Sequence, residues 1–119
     1  MLSIRERTGD EVVVDATGKL DRSDYERLVP QLEHVIDTKG GLRLMVCLRD
    51  FHGWTPKGLL EDLRFDLKHR DDFERVAIVG EREIEKIGTQ LSKPFFSGEM
   101  RFFQSEATAR QWLEADAPS

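Results

Sequence analysis

The sequence predicts one α/β domain over residues 1–119, with a mixed, mostly parallel five-stranded sheet and about four helices packed against it. Three observations carry that expectation. Segment types alternate along the chain in the order β-β-α-β-α-β-α-β-α, which is how parallel strands with helical crossovers are written. Two short apolar runs, Leu42–Leu48 and Arg75–Gly80, read as strands covered on both faces. The segments between them repeat large apolar residues at helical spacing.

Taken in order, Leu2–Arg7 alternates apolar and polar, and "EVVVDATG" follows the pair Gly9-Asp10, so the chain opens with a hairpin. Ser23 with Glu26 three residues later reads as a capping box. Tyr25, Leu28, Val29, Leu32, Val35 and Ile36 then mark a helical face, with Gly40 and Gly41 as the stop. Pro30 within that helix predicts a kink or a later start. After the strand Leu42–Leu48, Thr55 and Pro56 read as N-cap and first helical residue. The helix they begin carries Leu59, Leu60, Leu63 and Leu67 on one face. After the strand Arg75–Gly80, Ile84, Ile87 and Leu91 mark a third helix. Gly98–Phe103 is a last strand, and Ser105 caps a last helix that turns Ala109, Trp112 and Leu113 inward.

Bulk properties exclude several classes. A chain of 119 residues buries roughly two-thirds of its unfolded surface, so its stability requires no disulfide or structural metal. With 23 acids against 18 bases the net charge is −5, without the basic stripe of a nucleic-acid binder. Even "KHR" at Lys68–Arg70 runs straight into Asp71 and Asp72. The single cysteine, Cys47, lies in an apolar run and reads as an inert buried thiol. No run approaches the roughly 20 apolar residues of a membrane span, and the N-terminus lacks an apolar signal core. The expectation is a cytoplasmic protein with no integral membrane segment.

Four motifs in order carry a resemblance: "GKL" at Gly18–Leu20, "DFHGW" at Asp50–Trp54, "KHRDDFERVAIVG" at Lys68–Gly80, and the closing "ARQWL" at Ala109–Leu113. Together they resemble the SpoIIAA-like family, which is related to the STAS domains of anti-sigma factor antagonists. The resemblance implies a compact α/β sandwich, often dimeric, and relatives that act as phosphorylation-switched protein-binding modules. It also implies a likeness to lipid-binding folds. Anti-sigma antagonists carry a phosphorylatable Ser or Thr, preceded by Asp, at the start of the helix after the central strand. Here the corresponding stretch, Asp50–Pro56, has no Asp-Ser pair, and Thr55 is its nearest hydroxyl. Thr55 also has a structural use as an N-cap.

In open α/β sheets ligands bind beyond the carboxyl ends of the strands. The loops expected to gather there are Arg49–Thr55, Gly80–Arg82 and Gln104–Ser105. Asp50, His52, Glu81 and Arg82 supply polar groups; Phe51 and Trp54 supply an apolar wall, or close the end of the sheet over the core. Asp50 with His52 offers acid–base groups but no accompanying nucleophile or oxyanion donor, so no catalytic residue is assigned. His69 with Asp66, Asp71 and Asp72 is interleaved with Lys68 and Arg70, and no metal site is assigned. Phe95 and Phe96 exceed what a narrow helical stripe needs. With Ile87 and Leu91 they could form a dimer interface or line a cavity.

The expectation is therefore a binding or regulatory module without cofactor, a homodimer, and not an enzyme. It recognises a protein partner or a small amphipathic ligand through Asp50, Phe51, His52, Trp54, Thr55 and Arg82, with Thr55 open to phosphorylation. A lipid or hydrophobic-ligand carrier, its cavity lined by Ile87, Leu91, Phe95 and Phe96, is the alternative.

Overall fold

Val12, Val13 and Val14 are all buried, the signature of a strand covered on both faces. They belong to β2 (Glu11–Leu20), the second strand of a five-stranded sheet. The computed structural model of the protein describes residues 1–55, 58, 72–80 and 99–115, with Trp54 and Glu99 described by backbone alone. The other strands are β1 (Leu2–Thr8), β3 (Leu42–Trp54), β4 (Phe73–Val79) and β5 (Glu99–Phe103). Their spatial order follows the chain, β1-β2-β3-β4-β5. β1 pairs antiparallel with β2, and every later pair is parallel. The predicted mixed, mostly parallel sheet is present.

The hairpin turns at Gly9-Asp10, closed by the pair Thr8↔Glu11. Gly9 has φ 62, the positive value that a two-residue turn of the II′ type needs at its first central position.

Two helices are present among the described residues, α1 (Arg22–Lys39) and α2 (Glu106–Glu114). The two further predicted helices, after Thr55 and after Gly80, fall outside the described residues apart from Gly58, which is helical. Sequence spacing placed the N-cap of α1 at Ser23; the structure places it at Asp21. Asp21 leaves β2 with extended backbone, and its carboxylate accepts from the Arg22 N–H at 2.8 Å. Asp24 returns the capping box by accepting from the Asp21 N–H at 2.8 Å. Ser23 is thus an exposed residue of the first turn. Pro30 neither delays nor interrupts α1; it lies on the exposed face. Gly40 ends the helix with φ 78, its N–H donating to the Ile36 carbonyl, as the sequence predicted.

The two faces of the sheet carry separate cores. Val12, Val14 and Ala16 of β2 with Val76 and Ile78 of β4 pack under Tyr25, Leu28, Leu32 and Val35 of α1. Val13, Met45, Cys47, Ala77 and Val79 pack under Ala109 and Leu113 of α2. Each large side chain so buried is worth about 1.5–3 kcal/mol, which makes these faces the main source of stability.

α2 is fastened at both ends. Ser105 caps its start, accepting from the Thr108 N–H. At its other end Arg75 donates through Nη1 to the carbonyls of Trp112 (2.6 Å) and Ala115 (3.1 Å), and Arg43 donates to that of Leu113 (3.0 Å). Carbonyls left over at a helix C-terminus carry partial negative charge, and guanidinium groups satisfy them directly. Arg75 and Arg101 both approach the Trp112 ring, with guanidinium carbons 5.2 and 5.4 Å from its centroid.

Candidate binding site at the carboxyl end of the central strands

β4 ends at Val79, which pairs with Cys47, whereas β3 runs on to Trp54 with β2 alongside it. The stretch Asp50–Trp54, expected as a loop, is therefore strand. Bulges make this possible. Thr17 pairs with Arg49 and Gly18 with Phe51, leaving Asp50 as an extra residue. Leu20 then pairs with Trp54, so His52 and Gly53 together oppose Lys19. Gly18 (φ 65), Asp50 (φ 47) and Gly53 (φ 90) take up the resulting bends. Two are glycines, which adopt positive φ readily; Asp50 is the one non-glycine residue among the described residues in that region.

The bulges decide what each side chain does. Phe51 is half-buried against the core under α1, while Asp50 and His52 are exposed. Arg49 points to the opposite face, where its Nη2 lies 3.3 Å from Glu106 Oε1. This joins the end of β3 to the start of α2, two of the three segments expected to gather here. Arg82 of the third segment lies outside the described residues, as do Ile87, Leu91, Phe95 and Phe96.

Thr55 links the site to α1. Its N–H donates to the Leu20 carbonyl at 2.8 Å. Its hydroxyl donates to Asp21 Oδ1 at 2.6 Å and accepts from the Gly58 N–H at 3.0 Å. Thr55 is thus the N-cap the sequence predicted, and it also holds the N-cap of α1. Two helix starts meet at one carboxylate–hydroxyl contact. Gly58 makes the approach possible: a Cβ there would lie 2.5 Å from the Leu20 carbonyl oxygen.

An ionic cluster underlies the site on the α2 face, and sequence reasoning missed it. Arg5 occupies the bulge of β1. Its Nε donates to Asp15 at 3.1 Å, and Nη1 and Nη2 donate to the two oxygens of Glu106 at 2.8 and 3.0 Å. Glu106 lies in the first turn of α2, where the helix dipole favours an acid. The Arg5 guanidinium, with help from Arg49, holds the Glu106 carboxyl down to about 2. Cys47 sits beside this cluster; burial pushes its thiol up to about 11, which makes it a poor nucleophile. The only local signal for the cluster was a charged residue, Arg5, in an alternating strand.

Chemically, the site offers an exposed carboxylate, an exposed imidazole and a hydroxyl already committed to a carboxylate. Among the described residues no group of three His, Cys, Asp or Glu side chains is placed to hold a metal. Of the group to which the sequence assigns no metal site, Asp66, His69 and Asp71 lie outside the described residues and Asp72 within them. No described helix is long and apolar enough to cross a membrane.

The chain matches the SpoIIAA-like family over residues 12–114. It is similar over 95% of its length, with 31% identity and a TM-score of 0.78, to an uncharacterised protein of SpoIIAA-like fold from Shewanella loihica PV-4, 92% of which is covered. It is also similar to the anti-sigma factor antagonist SpoIIAA in its unphosphorylated form (14% identity, 98% and 100% covered, TM-score 0.61). The third similar structure is the Bacillus cell fate determinant SpoIIAA in its phosphorylated form (16%, 96% and 100%, 0.57). At that identity these last two show a shared fold. No curated protein matches the chain. The chain belongs to the SpoIIAA-like family, as its motifs indicated.

Proposed function

We propose that this chain is a non-catalytic, cytoplasmic binding module that recognises a protein partner at the carboxyl end of β3. The surface we propose comprises Asp50, Phe51, His52, Trp54 and Thr55, with Arg82, outside the described residues, as the further residue expected from the segment after β4. One observation carries the reading. Two bulges and three positive-φ residues extend β3 past β4 and leave Asp50 and His52 exposed at its end. Backbone irregularity of this kind concentrates where a surface must be presented rather than buried. The thiol and the hydroxyl nearby are respectively buried and engaged, which favours binding over nucleophilic chemistry. The similar SpoIIAA is an anti-sigma factor antagonist, which supports a protein as the partner.

SpoIIAA occurs in phosphorylated and unphosphorylated forms, and Thr55 is the candidate hydroxyl here. A phosphate on Thr55 would replace the proton it donates to Asp21 and set its own charge against that carboxylate. Modification would thus unlatch the start of α1 from the site.

The test compares proteins captured by the wild-type chain with those captured by Asp50→Lys, His52→Glu and, as a control, Glu26→Gln on the exposed face of α1. The reading expects a partner retained by wild type and control and lost from both site variants. Native mass spectrometry of the protein from its own source adds the state of Thr55 and the oligomeric state. A copurified lipid-sized mass, with no partner sensitive to the site variants, would replace this reading with a hydrophobic-ligand carrier.

A further inference from the structure

β5 forms one end of the sheet. The Gly80 N–H donates to the Phe103 carbonyl at 3.0 Å, so the backbone groups of Phe103 face β4. Alternation along a strand then turns Arg101 the same way and leaves the N–H and C=O groups of Met100 and Phe102 facing outward. Among the described residues no strand pairs with that edge. β1, at the other end, protects itself with Arg5, Glu6 and Arg7. In β5 the charged residues Glu99 and Arg101 alternate with Met100 and Phe102, so the two positions whose backbone faces outward carry apolar side chains.

Two side chains distinguish this edge. Phe102 is 37% exposed; besides Met1 it is the one exposed large hydrophobic residue among those described. Arg101, exposed on the opposite face, is stacked on Trp112. Unlike Arg5, Arg43, Arg49 and Arg110, it has no carboxylate partner among the described residues. A guanidinium already ordered by stacking loses less freedom when it pairs with an acid.

We propose that the outer edge of β5 is a second docking surface, which takes an extended acidic segment of a partner protein by strand addition. Main-chain hydrogen bonds to Met100 and Phe102 supply the pairing. An added strand alternates its side chains between the two faces, so the segment it fits has acids on the side of Arg101 and apolar residues on the side of Phe102. A second copy of the chain is the poorer occupant, since antiparallel pairing centred on Arg101 sets two guanidinium groups opposite one another.

The probe is a blocked hexapeptide of alternating glutamate and valine, titrated into the isotopically labelled protein. The amide signals of Met100 and Phe102 are expected to shift and to gain protection from hydrogen exchange. Arg101→Gln should weaken binding about tenfold, the scale of one charge-assisted pair. Phe102→Pro removes an outward N–H without touching the β4 ladder, as edge prolines do, and should abolish binding that Phe102→Ala retains in part. A lysine–valine peptide should not bind. The proposal is overturned by shifts confined to Asp50–Thr55, by full affinity in Arg101→Gln, or by equal affinities in the two Phe102 variants. Protection that rises with protein concentration and needs no peptide also overturns it, and identifies a second copy as the occupant.

Discussion

The hydroxyl of Thr55 donates to the carboxylate of Asp21 across 2.6 Å, and each residue caps the start of a different helix. Residues 34 apart in the chain thereby fix the start of α1 against the end of β3. Thr55→Val and Asp21→Ala are therefore not additive. Each single change should cost about 1 kcal/mol through its lost cap. A double-mutant cycle should then return a coupling of about 1 kcal/mol from denaturant melts. Strict additivity would show two independent caps.

Asp50 holds φ 47 in the bulge of β3, where it is exposed and contributes nothing to either core. Its replacement therefore reports on the backbone alone. Asp50→Gly should hold or slightly raise the unfolding midpoint. Asp50→Val should lose about 1–2 kcal/mol, because a β-branched residue tolerates the left-handed region poorly. Equal stability of the two variants would mean that the bulge relaxes at no cost.

Some of this was legible in the sequence and some was not, for physical reasons. The strand at Leu42–Leu48 and the stop at Gly40 could be read because burial on both faces and a left-handed cap each select few residue types. The continuation of β3 through Asp50–Trp54 could not. Its Asp, His and Gly have loop composition, and only pairing with Gly18 and Leu20 makes them strand. Asp21 and Ser23 are both good caps with an acid three residues on. The choice between them is made by where β2 releases the chain. Arg5 and Glu106 meet across 101 residues, a separation that no local pattern records.

Glu106 gives a pH dependence with a definite sign. Its carboxyl is held at about 2 in the fold, chiefly by hydrogen bonds from Arg5, against an ordinary 4.5. A depressed carboxylate contributes stability that is complete above its unfolded value and disappears as pH falls through its folded value. The stability gap between wild type and Glu106→Gln should therefore be constant near neutrality and narrow from about pH 4.5 to about 2. Partial exposure keeps the effect modest. Urea melts across that range measure it, and a gap independent of pH would remove Arg5–Glu106 as a source of stability. In an Arg5→Gln background the narrowing should be smaller and complete at a higher pH, because the folded carboxyl value then lies closer to the unfolded one.

Gly58 tests the packing that brings the two helix starts together. Alanine normally stabilises a helix relative to glycine by about 0.5–1 kcal/mol. Here the added Cβ would lie 2.5 Å from the Leu20 carbonyl oxygen and 3.0 Å from Asp21 Cα, both backbone atoms with little room to yield. The collision outweighs the propensity gain, and Gly58→Ala should be destabilised by about 1–3 kcal/mol, the usual range for overpacking. Relief requires the start of α1 to move away from Thr55, so the same variant should weaken the Thr55–Asp21 coupling in the cycle described above. An alanine variant as stable as wild type, with the coupling intact, would show that the backbone at Leu20 and Asp21 yields to a Cβ at Gly58 without cost. A variant that loses both stability and coupling would place Gly58, Thr55 and Asp21 in one cooperative joint between β3 and α1.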